Sequence, residues 1–464
     1  MENLGNKFLN INKKFLITIS LILMIIFISV MYFTKEYTNP YMHRGVKIEG
    51  IDVSRLSKED ALREVKAVTD EMIKNKIVNF TYEGITVPVP LKDFGYKLNL
   101  EDVVNSAYSY GRSDNVFYNY IDILKAAIFK KNFLAKADIN NSKREEVILN
   151  IGNKIFKKPL DAHPIIKSDG SVTIKDSEIG RYMDLNEAKE LINLDILHEE
   201  KIELPVYKTE PKIYSNYYEG INKKLGDFET DYSSSIKNRK ENIRLAALKF
   251  NNMKLNPGDE ISFNDVVGEI SEETGFKNAT VIVGGEYEDG IGGGICQVST
   301  TLYNSLVLSD LEITERHNHS RPINYVDLGT DAAVARGYKD LKFKNNTNNP
   351  ILILAEANGE KLNFKILGNE SDRDYEIKIV PELLATVSPG VDTVYSNELP
   401  EGESTVKESG AKGYSYKTYK EIIKNGEVVD KKEISKSYYL PKDKVVVVGT
   451  GTSNDKDKDD KDED

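Results

Sequence analysis

One cysteine and two histidines lie close together in the sequence and have side chains suited to nucleophilic chemistry. Cys296 is the only cysteine among 464 residues, and His317 and His319 are two of the five histidines. A cysteine nucleophile needs a base within hydrogen-bonding reach, and that base needs a third group to orient it. Asp331, in the stretch GTDAAV, is the best orienting acid. These residue types predict a Cys–His–Asp site for acyl transfer.

The segment around the cysteine predicts how it is positioned. Gly292–Gly294 lead into ICQVSTTLYNSLV, which has helical character, so Cys296 falls in the first helical turn. Val298, Leu302 and Leu306 then face the core. A helix N-terminus lowers a thiol pKa because its free N–H groups and its dipole favour negative charge. The N–H of Cys296 is also a candidate donor to an oxyanion.

The candidate base lies in the stretch LEITERHNHSRPINYV, residues 311–326, which is strand-like. On a strand, His317 and His319 point to the same side, so either is a candidate base. Asp327 and Asn324 remain as alternative orienting groups. Further residues near the cysteine are predicted to contact a ligand: Gly292, Gly293, Gly294, Gln297, Ser299 and Arg316.

Each of these residues also has a structural interpretation. A free cysteine is often buried and behaves as a small apolar side chain. The histidines can be surface residues, and Asp331 can cap the next segment. Zinc is a third alternative, because His-x-His together with Cys296 or Asp331 supplies zinc ligands. No second histidine pair and no HExxH-type helix occurs in the sequence, so we predict no metal and no cofactor.

Composition limits the class of protein. The net charge of −11 and the absence of a basic stripe argue against a nucleic-acid partner. Residues 15–33, FLITISLILMIIFISVMYF, carry no charge, and a membrane-spanning helix needs about 20 apolar residues. Lysines precede this stretch, which predicts a cytoplasmic N-terminus at 1–14, a single-pass anchor at 15–33 and an extracellular remainder.

A cleaved signal peptide is the competing interpretation of this segment. Such peptides end in small residues, whereas this run ends in Met31, Tyr32 and Phe33. The sequence therefore favours an uncleaved anchor in the cell membrane. An exported chain with one cysteine cannot form an internal disulfide, so its stability has to come from ordinary cores.

Repeated strand-plus-helix units are predicted for residues 45–210. LSKEDALREV, LNLEDVVNSA and MDLNEAKELI share a helix-capping residue followed three positions later by an acid. The capping residues are Ser57, Asn99 and Asp184, and the pattern resembles the capping box.

Residues 375–450 are predicted to form a small all-β region. Short strand-like runs alternate there with turn signals such as Asn425-Gly426. The last residues, 451–464, form an acidic stretch that cannot bury a core.

Six motifs between Arg244 and Ile353 resemble those of the VanW-type domain: RLAALKFNN, LNPGDEISFNDVVG, GGGICQVSTTLYNS, ERHNHS, DAAV and DLKFKNNTNNPILI. That domain is named after an accessory protein of glycopeptide-resistance operons. The resemblance implies an α+β domain over residues 213–368. It supplies a cell-wall context, whereas the mechanism has to come from the residues.

The flanking regions resemble modules that accompany this domain. Residues 45–210 are similar to a peptidoglycan-binding domain of exported Gram-positive proteins. Residues 375–450 are similar to the G-five domain, an adhesive or binding unit, with Gly402, Gly410, Gly413, Gly426 and Gly449 at its glycine positions. These resemblances imply an α+β multidomain protein whose partner is peptidoglycan or a wall glycopeptide.

Two functions from different classes follow. The leading interpretation is a membrane-anchored extracellular protein that binds peptidoglycan or its precursors through modular domains. The alternative is a cysteine-dependent amidase, peptidase or transpeptidase acting on wall peptides. The sequence leaves open whether the chain is an enzyme.

Overall fold

A computed structural model describes residues 2–283 and 286–451 of the chain. The predicted acidic stretch 451–464 therefore lies outside the described residues, except for Gly451. The chain divides into two compact units. The first runs to Leu160 and includes Glu178–Pro211; the second contains Asp161–Ser177 and the chain from Lys212 onward.

Several helices begin at residues whose side chains cap them. Ser57 accepts the Asp60 N–H, and Asn99 accepts the Asp102 N–H. The capping positions predicted from the sequence are thereby confirmed, as is the third at Asp184. The helices are α1 (Glu2–Tyr37), α2 (Lys58–Asn75), α3 (Leu100–Ser109), α4 (Val116–Phe129), α5 (Asn141–Ile155), α6 (Leu185–Leu191), α7 (Lys237–Leu248), α8 (Phe263–Val267) and α9 (Ile295–Leu308).

The strands fall into a first set of short ones and a second set that includes longer ones. Up to residue 209 they are β1 (Val46–Ile48), β2 (Ile51–Asp52), β3 (Ile77–Tyr82), β4 (Ile85–Pro90), β5 (Lys97–Asn99), β6 (Lys131–Phe133), β7 (Lys136–Asp138), β8 (His163–Ile166), β9 (Val172–Lys175), β10 (Gly180–Met183), β11 (Lys201–Glu203) and β12 (Val206–Thr209). Beyond it they are β13 (Lys223–Asp231), β14 (Met253–Leu255), β15 (Glu260–Ser262), β16 (Asn278–Val283), β17 (Glu286–Ile291), β18 (Glu312–Glu315), β19 (Lys342–Lys344), β20 (Ile351–Ala357), β21 (Lys361–Gly368), β22 (Glu376–Val387), β23 (Val391–Pro400), β24 (Ser404–Glu408), β25 (Gly413–Lys424), β26 (Glu427–Tyr439) and β27 (Lys444–Gly451).

The first unit consists of helices packed against small sheets. Its sheets have the orders β2-β1-β6, β11-β3-β4, β5-β7 and β10-β12. One buried apolar cluster surrounds Phe80 and Phe94, whose ring centroids are 6.0 Å apart. A second cluster surrounds Val65 and Val104. Strands alternate with helices here, as predicted, although β8 and β9 belong to the second unit.

Helix α1, the first helix of the chain, contains a long apolar segment. Its part from Lys13 to Tyr37 is long and apolar enough to cross a membrane, with a mean hydropathy of 2.7 over its most apolar window. An anchor and a signal sequence both have this character.

The second unit is built around an antiparallel sheet with the order β13-β21-β20-β14. Helices α7 and α9 pack against this sheet. Val298, Leu302 and Leu306 of α9 are fully buried in its core, as the sequence predicts. A hairpin of β16 and β17 leads into the glycines before α9.

The C-terminal region is all-β and belongs to the second unit. It has two three-stranded sheets, β22-β25-β26 and β23-β27-β24. Asn425 and Gly426 join β25 to β26 with φ values of 55° and 82°. Both residues thus have the positive φ that a two-residue hairpin turn requires, which confirms the hairpin predicted there.

The stretch that carries the two histidines differs from its prediction. Strand β18 ends at Glu315, and residues 316–319 have no regular structure. The prediction of a strand as far as Val326 is therefore wrong. His317 and His319 are not constrained to one side, because the two-residue alternation of a strand no longer applies.

Candidate active site

Cys296 is the second residue of α9, and three glycines directly precede the helix. Gly294 precedes the helix with φ 108°, a conformation that glycine adopts without a steric penalty. At Gly293 a Cβ atom would lie 2.4 Å from the carbonyl oxygen of Thr280. The glycines therefore allow the β16–β17 hairpin to approach the start of α9 and place Cys296 in its first turn.

The first turn of α9 offers an N–H group beside the thiol. The Ile295 N–H donates to the Gly292 carbonyl at 3.2 Å, and the Gln297 N–H donates to the Gly294 carbonyl at 3.0 Å. Within residues 2–283 and 286–451, the Cys296 N–H donates to no backbone carbonyl. An N–H at the positive end of a helix is well suited to stabilise an oxyanion.

His319 and Asp331 form a buried pair. The Nδ1 atom of His319 lies 2.6 Å from Oδ2 of Asp331, and the backbone N–H of His319 donates to the same oxygen at 2.7 Å. His319 is 6% exposed and Asp331 is fully buried. Because Nδ1 is bound to the carboxylate, Nε2 is the ring atom that remains for proton exchange.

The other oxygen of Asp331 is also held. Arg316 donates to Oδ1 at 3.1 Å, and the Tyr439 hydroxyl donates to Oδ1 at 2.5 Å. Buried carboxylates are stable as anions only when charges and hydrogen bonds compensate them. Asp331 thus meets this condition on both oxygens.

Cys296 and the His319 imidazole are close enough for each to shift the pKa of the other. The Cys296 thiol donates to the Val334 carbonyl at 3.4 Å. Burial alone would raise the pKa of Cys296, but hydrogen bonding to His319 and the positive charge of His319 outweigh it, so the pKa is lowered. The thiol of Cys296 is therefore primed to ionise.

The contacts of His319 with Asp331 and Cys296 also change the pKa of His319. Burial alone would lower the pKa of His319, whereas hydrogen bonds to Asp331 and Cys296 raise it to about 9. For Asp331, burial is again outweighed, here by His319 and Arg316, and the pKa of the carboxyl is lowered. These directions favour a thiolate–imidazolium pair backed by an ionised carboxylate.

His317 has a different environment. Its Nε2 atom lies 3.0 Å from Oε1 of Glu315, and the His317 side chain is 40% exposed. The same glutamate accepts from Lys342 at 2.9 Å. Of the two predicted bases, the structure brings His319 to Cys296 and Asp331 and places His317 in this exposed ion-pair group.

Three of the predicted ligand contacts make hydrogen bonds inside the protein. The Gln297 amide donates to Thr230 Oγ1 at 3.0 Å and accepts from Arg239 at 2.8 Å. The Ser299 hydroxyl donates to the Ala332 carbonyl at 2.6 Å. Arg316 donates to Asp331, as described above. Their roles toward a ligand stay predictions. Within the protein, Gln297 joins α9 to β13 and α7, whereas Ser299 joins α9 to the loop that carries Asp331.

Two residues near the thiol were not singled out from the sequence. The Tyr325 hydroxyl lies 3.5 Å from Nε2 of His319. Burial, followed by the nearby charge of Cys296, raises the pKa of Tyr325. Arg239, on α7, reaches Gln297, the neighbour of Cys296. Only the proximity of Tyr325 to the histidines in the chain was a signal in the sequence.

The described residues form no cluster suited to bind a metal ion. In residues 2–283 and 286–451, no group of three or more His, Cys, Asp or Glu side chains is arranged to hold an ion.

Comparisons with known proteins place this site in a family. Residues 238–367 match the family model described as VanW like protein. A Bacillus subtilis protein named Uncharacterized protein YoaR is 35% identical over 222 residues, covering 48% of this chain and 73% of that protein. The chain belongs to the VanW family. It is also similar to the Vancomycin B-type resistance protein VanW of Enterococcus faecalis, with 29% identity over 130 residues, which is 27% of this chain and 47% of that protein.

The flanking regions match two other family models. Residues 87–203 match a peptidoglycan binding domain, and residues 385–451 match the G5 domain. A solved structure described as IgA1 Protease G5 domain structure is 23% identical, covers 18% of this chain and 99% of that one, and has a TM-score of 0.14. Together with the VanW-family relatives, these domain matches indicate a cell-wall-associated protein.

Proposed function

We propose that this VanW-family chain is a cysteine-dependent acyl-transfer enzyme that acts on wall peptides as an amidase, peptidase or transpeptidase. The observation that carries the proposal is the contact chain Cys296–His319–Asp331, in which each group shifts the pKa of the next toward its charged form. Perturbed titratable groups of this kind cluster at functional sites.

In the first step the Cys296 thiolate attacks the carbonyl carbon of a substrate amide. A C–S bond forms, and the negative charge moves to the carbonyl oxygen beside the Cys296 N–H. The C–N bond then breaks, and His319 gives its Nε2 proton to the leaving amine. The products are a thioester on Cys296, a free amine and a neutral imidazole.

In the second step an amine or a water molecule attacks the thioester carbon. His319 takes a proton from the incoming nucleophile, the C–S bond breaks, and Cys296 leaves as a thiolate. Attack by an amine completes transpeptidation, and attack by water completes hydrolysis. Asp331 keeps the imidazole in one orientation through both proton transfers.

The neighbouring regions support a wall substrate. We propose that helix α1 is a single-pass anchor and that the chain beyond it is extracellular on a Gram-positive cell. The region that matches a peptidoglycan binding domain would hold the polymer near the site. Linking weak wall contacts to the VanW-type domain raises the effective substrate concentration.

The test uses the full chain in detergent with labelled muropeptides of varied stem length. Cys296→Ala should abolish release of amine and thioester formation while leaving the melting temperature nearly unchanged. His317→Ala is the control, because its side chain pairs with Glu315 away from the thiol. Turnover that survives Cys296→Ala would disprove the proposed enzyme.

A non-catalytic wall-binding protein is the second candidate. It is favoured by the peptidoglycan binding match at residues 87–203, which lies apart from Cys296 in the sequence. In that case Cys296→Ala should leave both binding to purified wall and the cell phenotype unchanged, and the Cys296 thiol should react with iodoacetamide only after denaturation.

A further inference from the structure

The C-terminal β region contributes a side chain to the candidate active site. The VanW match ends at residue 367, whereas Tyr439 lies at the end of β26, within the G5 match. The Tyr439 hydroxyl donates to Oδ1 of Asp331 at 2.5 Å, and both side chains are fully buried. The acid of the site is therefore held by a residue outside the VanW-matched segment.

A second contact sets the direction of this hydrogen bond. The Gly329 N–H donates to the Tyr439 hydroxyl oxygen at 2.6 Å. Because a phenol has one proton and its oxygen accepts from Gly329, that proton is directed to the carboxylate. Burial and the charge of Asp331 raise the pKa of Tyr439 far above its usual range. Tyr439 is thus a permanent donor to Oδ1, opposite the oxygen that holds His319.

The surrounding sheet residues hold the same loop. The Thr418 hydroxyl donates to the Gly329 carbonyl at 2.8 Å, and Arg316 donates to the Ser437 hydroxyl at 2.9 Å. Thr418 is fully buried and Ser437 is 2% exposed. A Cβ atom at Gly329 would lie 2.8 Å from Thr418 Oγ1. The loop before Asp331 is therefore seated directly on the β25–β26 sheet.

We propose that Tyr439 is a positioning residue for Asp331, which makes the C-terminal β region a structural part of the active centre. This inference rests on the proposed cysteine-dependent function. Without the phenol, Oδ1 retains Arg316 as its donor, and a carboxylate held less firmly orients His319 less well. Loss of that orientation weakens the support that the imidazolium gives to the Cys296 thiolate.

The experiment compares Tyr439→Phe with the wild-type full chain in detergent. Iodoacetamide alkylation of Cys296 is followed against pH, and muropeptide turnover is measured in parallel. We expect the alkylation midpoint to rise by about one pH unit, and kcat to fall about tenfold with KM unchanged. Tyr416→Phe is the matched control, since its ring lies beside Tyr439 with centroids 6.4 Å apart.

The outcomes separate this inference from the proposed function. A wild-type thiol that reacts only after denaturation would overturn both. If the wild-type thiol is activated and Tyr439→Phe leaves its alkylation profile unchanged, this inference alone is overturned. A lower alkylation midpoint in Tyr439→Phe would also overturn it, because the phenol would then only weaken the charge of Asp331.

A second variant keeps the test decisive if Tyr439→Phe does not fold. Thr418→Val removes the hydroxyl that holds the Gly329 carbonyl while retaining the shape of the side chain. We expect a smaller rise of the alkylation midpoint in the same direction. An unchanged midpoint in Thr418→Val would then contradict the positioning role of the sheet.

Discussion

Oδ2 of Asp331 accepts two hydrogen bonds from His319, one from Nδ1 at 2.6 Å and one from the backbone N–H at 2.7 Å. One oxygen thus fixes both the ring and the main chain of the candidate base. Rotation of the imidazole would break the first bond, and movement of the loop would break the second. This double contact leaves Nε2 as the ring nitrogen that is not bound to Asp331.

Removal of the charge on Asp331 should weaken the site without changing its shape. In Asp331→Asn the imidazolium loses its anion, so we expect the Cys296 thiol pKa to rise and turnover to fall at least about a hundredfold. The buried Arg316 also loses its anionic partner, although it keeps its hydrogen bond to Ser437. This loss should lower the free energy of unfolding by about 3 kcal/mol.

The Asp331→Asn prediction is checked by alkylation against pH and by thermal melting. Asp327→Asn is the matched control, because Asp327 is exposed and lies in the same loop. Equal alkylation profiles in the two variants would contradict a role for Asp331 in activating the thiol.

The dependence of turnover on pH should have an alkaline limit set by His319. The pKa of His319 is raised to about 9, so the imidazolium that protonates the leaving amine is lost as pH rises through about 9. The stability that comes from this raised pKa is fully present below pH 6.5, the pKa of histidine in the unfolded chain. It is lost as the pH rises from about 6.5 through about 9.

The measurement is kcat/KM from pH 6 to about 10, with His319→Gln and His317→Gln compared. We expect His317→Gln to retain the alkaline limit and His319→Gln to lose measurable turnover. A profile that moves with His317 instead would assign the base to the other histidine.

The turn before Cys296 should not accept a side chain at Gly293. In Gly293→Ala the new Cβ would lie 2.4 Å from the Thr280 carbonyl oxygen. Because backbone atoms cannot yield as a flexible side chain does, we expect a loss of about 2–4 kcal/mol in unfolding free energy and a displaced thiol.

Gly152→Ala is the control for Gly293→Ala. At Gly152, in α5, the nearest atom to a new Cβ is a Leu185 side-chain carbon at 3.2 Å. Chemical denaturation should show a change near zero there. A similar loss of stability in both variants would mean that packing at Gly293 has no special importance.

The first unit should lose stability in acid because of His43. This side chain is fully buried, and burial followed by the charge of Arg112 lowers its pKa to about 4. The folded state therefore favours neutral His43. This contribution to stability is present above about pH 6.5 and is lost as the pH falls from about 6.5 to about 4.

His43→Leu removes the group that must take up a proton. At pH 4 we expect the variant to recover about 2–3 kcal/mol of the acid loss, as judged from melts at pH 7 and pH 4. His163→Leu is the exposed control. An acid loss of the same size in His43→Leu would show that other groups cause it.

Much of the local structure follows from the sequence, because short-range rules decide it. Asn425-Gly426 supplies positive φ values for a hairpin, and Ser57 supplies a cap for α2. The glycines before Cys296 predict a turn into a helix, and the structure has one. Each of these features depends on residues within a few positions, so no distant contact is needed to predict it.

The choice between the two histidines was decided only by the tertiary structure. A strand through residues 311–326 would have placed His317 and His319 alike, but β18 ends at Glu315. The end of β18 coincides with an irregularity in its pairing with β19, where the register shifts between Ile313 and Glu315 of β18. Pairing between segments distant in sequence cannot be read from the alternation of residues within one segment.

The partners of Asp331 show the same division between sequence and fold. Residue types alone identified Cys296, two candidate bases and Asp331 as groups able to do acyl-transfer chemistry. The contact of Asp331 with Tyr439 joins residues 108 positions apart and arises when the loop settles on the β25–β26 sheet. The sequence determined which chemical groups are available, and the tertiary structure decided which of them meet, because burial and hydrogen bonding between distant segments exist only in the folded chain.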